Sequence, residues 1–347
     1  VTATVAPRVS GAVLIRRSRR IRALGLLGAL VVVAAAMVAS VMIGSRDVGL
    51  GDVIAAFGGS ADGFEQAAVV KRIPRTLLAV LAGAALGVSG AVMQGVTRNP
   101  LADPGILGVN MGASLAVVAG LAFFGLASPS LQIWVAIAGA AVTAVFVYTV
   151  GSLGRGGATP LKLALAGAAT SAALVSFISA VVLGRNDIAG TVRSWQIGGV
   201  GGSTFASIEQ VLPFLAIGFV VCLLSARGLN SLALGDDLAA GLGERVAVAR
   251  GSAALGAVVL CGAATAVTGP IAFVGLVVPH ACRLIVGVDH RWLIPFSALA
   301  GAILLTIADV LGRIASRPGE VDVGIVTALI GAPFFIAIVR RQKIRAL

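Results

Sequence analysis

Few residues of this chain are of types that carry chemistry, and their spacing narrows what that chemistry is. His280, Cys282 and His290 are metal-ligand types, but Cys282 lies two residues from His280, where helical side chains do not face each other. A zinc centre wants more ligands close by, so both histidines read as hydrogen-bonded structural residues and no metal site is expected. Cys222, Cys261 and Cys282 are odd in number and without paired spacing, which argues against a disulfide framework and for small buried apolar residues. A phosphate-cradling G-x-x-x-x-G-K-[ST] loop needs a lysine after glycine, but Lys71, Lys162 and Lys343 follow Val, Leu and Gln. Asp309 is the acid placed inside an apolar run. It reads as a carboxylate hydrogen-bonded between helices or snorkelling outward, with a proton relay as the alternative. The energy for any transport is therefore expected from another chain.

The remaining polar feature within apolar sequence is Arg98-Asn-Pro-Leu-Ala-Asp-Pro-Gly-Ile-Leu-Gly108, flanked by the uncharged runs 76–97 and 104–154. A loop so placed lies at or near the end of membrane-spanning helices and faces a partner or a pathway. Asp103, between two prolines, either serves there or caps the following helix.

Those runs belong to a chain with mean hydropathy +1.04, 58% apolar and 12% charged residues, which marks an integral membrane protein. The net charge of +12 is not gathered into a soluble basic domain with interleaved aromatics, so nucleic acid is not the expected partner. A span needs roughly 20 apolar residues, and charges mark span ends. Reading between charges gives ten spans. The first is 23–45, preceded by a basic segment, 1–22, that resembles a twin-arginine signal peptide. Its apolar run is long for that role and many spans follow, which favours a first span with a basic flank. Span 2 is 76–95, and spans 3 and 4 divide at 127–130. Span 5 is 163–184 and span 6 is 210–226, with polar sequence between them holding Trp195, an aromatic of the kind found at membrane interfaces. Span 7 ends at Thr268-Gly269-Pro270 and span 8, 271–287, is short, with non-helical backbone that only protein or a watery cavity could cover. Spans 9 (292–312) and 10 (323–339) complete a transmembrane domain of 23–340, followed by a tail of 341–347.

With the N-terminus inside, the inner loops hold 18 Lys/Arg and the outer loops 8, the expected positive-inside bias, and both termini are cytoplasmic. Glycine, 46 of 347 residues, is about twice its usual share of roughly 7%, which suits close helix packing.

Three stretches, Ile73-Pro-Arg75, Gly83 to Gln94 and Arg98 to Gly108, resemble the first half of the FecCD-type ABC importer permeases for iron-siderophore, haem and cobalamin uptake. Gly269 to His280, Asp289-His-Arg291 and Gly331-Ala-Pro-Phe-Phe335 resemble the second half, in order and with similar spacing. The resemblance implies an all-α fold of ten transmembrane helices per subunit, the type II importer architecture, in the bacterial inner membrane. It implies a second permease subunit, identical or a paralogue, two ATPase subunits that carry the ATP and Mg, an extracytoplasmic substrate-binding protein, and translocation by alternating access. No cofactor and no catalytic residue is expected on this chain.

By the same resemblance, Gly235, Asp236, Asp237, Leu238, Ala239, Leu242 and Gly243 form the segment that docks in the ATPase, within 228–250, with Leu238 and Leu242 on one face. A solvated helical loop is the alternative. Arg72, Arg75 and Arg313 match positions that pair with acidic residues of the binding protein, or else are interface anchors. Asn99 and Leu101 fall where the family's inner gate closes, with Thr159 in a neighbouring strip. The chain departs from the family at Glu320-Val-Asp322, where Asp322 replaces the usual proline and could cap span 10 instead. The expected function is import of a ferric siderophore. Haem or cobalamin import and an ion-coupled secondary carrier are the alternatives.

Overall fold

The computed structural model describes residues 18–44, 48–57, 63–105, 108–126, 128–153 and 160–343, which are helical and contain no strand. The helices are α1 (Arg19–Met42), α2 (Leu50–Phe57), α3 (Phe64–Val96), α4 (Val109–Phe124), α5 (Pro129–Ser152), α6 (Pro160–Leu183) and α7 (Asn186–Ile197). They continue as α8 (Phe205–Leu224), α9 (Ala226–Leu232), α10 (Asp236–Gly241), α11 (Val246–Thr268), α12 (Val274–Val286), α13 (His290–Ala315) and α14 (Val323–Lys343). Seven of them, α1, α3, α5, α6, α8, α11 and α13, are long and apolar enough to cross a bilayer; α4, α12 and most of α14 are apolar but shorter. These ten stand where the ten spans were expected.

Charge proved a good marker of where a helix leaves lipid and a poor one of where it ends. α1 begins at Arg19, inside the expected basic segment, because the Ser18 hydroxyl accepts from the Ile21 amide at 3.4 Å and caps it. The sequence between the first two expected spans holds α2 and the first turns of α3, whose 33 residues reach about 50 Å and outrun roughly 30 Å of hydrocarbon. The polar stretch after span 5 contains α7, and Trp195 on it packs partly buried against the core.

α3 is the axis of the bundle, its apolar half covered by α13, α11, α12 and α8. Small residues let it be covered so closely. A Cβ on Gly83 would lie 2.3 Å from the Gly301 carbonyl oxygen, one on Gly87 2.3 Å from that of Ser297, and one on Gly90 2.0 Å from that of Gly275. In lipid, where apolar side chains gain little from one another, such backbone approach is the main source of packing attraction.

Two apolar helices are too short to cross the hydrocarbon alone. α4 at 16 residues and α12 at 13 measure about 24 and 20 Å, short of the hydrocarbon thickness. Non-helical chain precedes each of them. Ala102, Asp103 and Pro104 are buried, so the loop after α3 leaves one end of the bundle at Arg98 and turns back inside. Asp103 accepts from the Gly105 amide at 2.6 Å, and α4 starts instead at Gly108 (φ +74), so Asp103 does not cap that helix. In the 269–273 stretch before α12, Gly269 and Ile271 are buried, Pro270 and Phe273 half-buried and Ala272 exposed, and just ahead of it the Thr268 carbonyl accepts from the Gly199 amide at 2.8 Å. Phe273 takes the left-handed conformation (φ +69) against Gly331 of α14, where a Cβ would lie 2.3 Å from that of Phe273.

Candidate functional site

The end of the bundle that holds α9, α10 and the turn between α12 and α13 presents the candidate coupling surface. Gly235 (φ +113) and Gly243 (φ +84) bracket α10, both in conformations that suit glycine. Asp236 and Asp237 occupy its first turn, where the helix dipole favours negative charge. Within 235–243 only the six residues of α10 are helical, fewer than two turns, and the separate helix α9 precedes them. Ala239 is buried beneath, while Leu238 and Leu242 project with 62% and 69% of their surface exposed.

The segment is braced from three sides. Asp236 forms ion pairs with Arg98 of the loop after α3 and, at 2.8 Å, with Arg250 of α11. From α9, the Asn230 amide donates to Asp289 at 2.7 Å and its oxygen accepts from the His290 backbone N–H at 2.9 Å, while Leu229 and Leu232 anchor the helix in the core. Asp289 also accepts from the Arg291 amide at 3.1 Å and so caps α13. Burial raises the Asp289 pKa, but the Asn230 and Arg291 hydrogen bonds and the charges of Arg291 and Arg22 outweigh it and hold the carboxyl below its ordinary range. The His290 ring lies 2.9 Å from Asn230 through Nδ1, the structural role expected of it, and His280 makes an edge contact with Phe334.

Next to this surface, the expected gate residues sit in a tight turn: the Asn99 side-chain oxygen accepts from the Leu101 amide at 3.0 Å, and both residues are half-buried. Thr159 lies outside the described residues. A cavity of about 680 Å³ opens beside the turn, walled by Met93, Thr97, Tyr148, Leu163, Arg250 and Leu255. Deeper in the bundle, Asn110 joins both interrupted segments, donating toward the Ile271 carbonyl at 3.5 Å and accepting from the Cys261 thiol at 2.9 Å. Gln94 donates to the Gly275 carbonyl at 3.1 Å. Asn110, Gln94 and Asn230 were not singled out from the sequence. For the first two, the signal was an amide side chain inside an uncharged run.

The opposite end corrects one expectation. Arg72 and Arg313 are 6% and 1% exposed, so they are interior residues rather than a docking surface in this conformation. Arg313 donates to the Ser40 and Ile43 carbonyls at 2.8 and 3.0 Å, and Arg72 to those of Val41 and Met42 at 3.1 and 3.2 Å. The two guanidiniums thus help satisfy the carbonyls at the end of α1, with the Val48 amide as a second donor to Met42. Asp309 is fully buried and pairs with Arg75 at 2.8 Å and Arg313 at 3.0 Å, which matches the carboxylate held between helices. Arg75 continues to Glu320 at 2.5 Å, and Glu320 is the exposed member of the cluster. Asp309 is also not alone as a buried acid, since Asp103 is buried too. Asp322 precedes α14, and its carbonyl accepts from the Ile325 amide at 3.0 Å. The three cysteines are buried and free, and no cluster of three metal-ligating side chains occurs among the described residues.

Ten apolar helices, a braced segment with bare leucines at one end and an ionic cluster at the other describe a multi-pass membrane protein. Residues 26–341 match the model of the FecCD transport family, and the chain belongs to that family. It is 44% identical over 322 residues to the ferric enterobactin transport system permease protein FepD of Escherichia coli (strain K12), covering 92% of this chain and 96% of that one. It is 45% identical over 273 residues to the iron(3+)-hydroxamate import system permease protein FhuB of Bacillus subtilis (strain 168), covering 78% and 71%. A structure given as an inward-facing conformation of a metal-chelate type ABC transporter superposes with TM-score 0.78 at 27% identity, covering 92% of this chain and 99% of that one. The chain is a transmembrane permease subunit of a bacterial ABC importer.

Proposed function

We propose that this permease carries a ferric siderophore through the inner membrane by alternating access, driven by ATP bound with Mg on two partner ATPase subunits. A second permease subunit completes the pathway, and an extracytoplasmic binding protein delivers the substrate. This chain supplies no catalytic group. The observation that supports the reading best is the pair Leu238 and Leu242, left bare on a segment tied by Asp236 and Asn230 to α11, α13 and the loop after α3. A surface braced in this way transmits a push as a rigid body. The end carrying most of the Lys/Arg, including both termini, is assigned to the cytoplasm by the positive-inside bias.

Gate roles for Asn99, Leu101 and Thr159 stay with this proposal. Docking of the binding protein is assigned to the surface around Glu320 and Arg75, with Arg72 and Arg313 holding it in place from beneath. The ferric substrate is supported by the iron-chelate names of the relatives at 44% and 45% identity. The test is reconstitution with the ATPase and binding protein in proteoliposomes. ATP-dependent accumulation of a ferric siderophore is expected. Uptake without the ATPase that follows an imposed ion gradient would instead establish an ion-coupled carrier, and ATP-dependent uptake of haem or cobalamin alone would replace the substrate.

A further inference from the structure

α1 is the least covered of the seven long apolar helices, yet its cationic end does not simply face lipid. The N-terminal turns of α1 and α13 bound a polar cavity of about 610 Å³ lined by Ser18, Arg19, Arg22, Asp289, Arg291 and Trp292. Deeper along α1, and sharing Leu26 with that cavity, runs an apolar groove of about 550 Å³ walled by Leu27, Leu30, Phe219, Leu223, Ile294 and Leu299. The twelve residues from Arg19 to Leu30 rise roughly 16 Å, about the hydrocarbon depth of one leaflet. A charged chamber at headgroup level therefore opens onto a greasy channel of acyl-chain length.

The chamber's charge is unbalanced. Three guanidiniums face one carboxylate, and Asp289 is already engaged by the Asn230 amide and the Arg291 backbone N–H. The Arg22 guanidinium carbon lies 5.9 Å from the centre of the Trp292 ring, and its Nε is buried with no hydrogen-bond partner among the described residues. A buried N–H without an acceptor is costly, and a phosphate oxygen is the acceptor a guanidinium fork fits best. Tryptophan is enriched at headgroup depth, and basic pockets between helices on the cytoplasmic side suit anionic headgroups.

We propose that this composite pocket binds one anionic phospholipid, its phosphate held by Arg19, Arg22 and Arg291 and one acyl chain laid in the groove between α1, α8 and α13. The site is independent of which substrate is transported. A free phosphate would use the polar chamber alone and leave the groove without a role.

The test uses the delipidated full-length chain in detergent, mixed with phosphatidylglycerol or phosphatidylcholine of identical acyl chains, with retained lipid read by native mass spectrometry. Phosphatidylglycerol is expected to be held at least about tenfold more tightly, and Arg22→Gln and Arg291→Gln each to weaken it roughly fivefold. Arg22→Lys, which keeps the charge and so separates loss of binding from loss of fold, is expected to retain most of the preference. Leu223→Trp, which narrows the groove, should weaken the lipid without abolishing the headgroup preference. Equal retention of the two lipids, or retention indifferent to the arginine changes, overturns the proposal. Full displacement of the lipid by millimolar inorganic phosphate, with Leu223→Trp silent, would make it a free-anion site and overturn it too.

Discussion

Arg98 and Asp236 form an ion pair that joins the loop after α3 to the first turn of α10, with Arg250 as the second partner of the same carboxylate. The loop that turns back among the helices is thereby tied to the surface proposed to dock the ATPase. These charges are part-exposed, so each pair contributes only about 0.2–1 kcal/mol. Asp236→Asn is expected to leave thermal stability nearly unchanged while lowering uptake per ATP hydrolysed. The double change Arg98→Asp with Asp236→Arg should recover part of that ratio. A ratio that stays at the wild-type value in Asp236→Asn would remove the pair from coupling.

At the other end, Arg313 serves a buried carboxylate and two α1 carbonyls together. Removing one member of such a set strands the others in low dielectric, typically at a cost of about 3–5 kcal/mol. Arg313→Met and Asp309→Asn are both expected to lower the unfolding midpoint in detergent by many degrees. Glu320→Gln, at the exposed edge, should leave the midpoint within a degree or two. A wild-type midpoint for Arg313→Met would return that residue to a surface role.

Close helix approach gives a paired prediction. Gly87→Ala sets a methyl against the Ser297 carbonyl and is expected to destabilise by about 1–3 kcal/mol, the usual cost of overpacking. Gly28→Ala, on α1, meets nothing within 4 Å and should be neutral or stabilise by up to about 1 kcal/mol. Equal effects of the two changes in a thermal or denaturant series would contradict the packing described for α3 and α13.

Burial raises the Asp322 carboxyl above its ordinary range; Arg75 opposes this, while Glu320 and Asp309 add to it. The folded chain then favours the protonated form more than the unfolded chain does. The contribution of Asp322 to stability is largest at low pH and falls as pH rises from about 4 through its raised native value. Asp322→Asn should flatten that slope in a pH series of unfolding midpoints, and a slope unchanged by the substitution would show another group responsible.

The bundle was legible because charges are costly in hydrocarbon, so runs such as 76–97 and 251–282 announce spans whatever their neighbours do. The same rule cannot say whether a charge near a span end points to water or to a partner. Arg72 and Arg313 look alike in sequence whether they meet a binding protein or the carbonyls of Val41 and Ser40, since those carbonyls lie 31 and 273 residues away. Asp103 read as a loop acid for a similar reason. Its burial depends on the chain turning inward before α4, a helix of 16 residues that is shorter than the hydrocarbon is thick. The segment 235–243 was singled out by its resemblance to the family's coupling segment, whereas Asn230, which ties α9 to α13, carries no local mark.

The central claim is that force enters through the bare Leu238 of α10 and Leu242 just after it. Leu238→Asp with Leu242→Asp, in the full complex reconstituted with the ATPase and binding protein, tests it most directly, because both side chains are exposed and the fold does not depend on them. The account predicts an unchanged unfolding midpoint with ATP-driven ferric-siderophore uptake lowered at least about tenfold, the ATPase either released or hydrolysing without transport. Uptake and ATPase binding at wild-type levels in that double variant would contradict it.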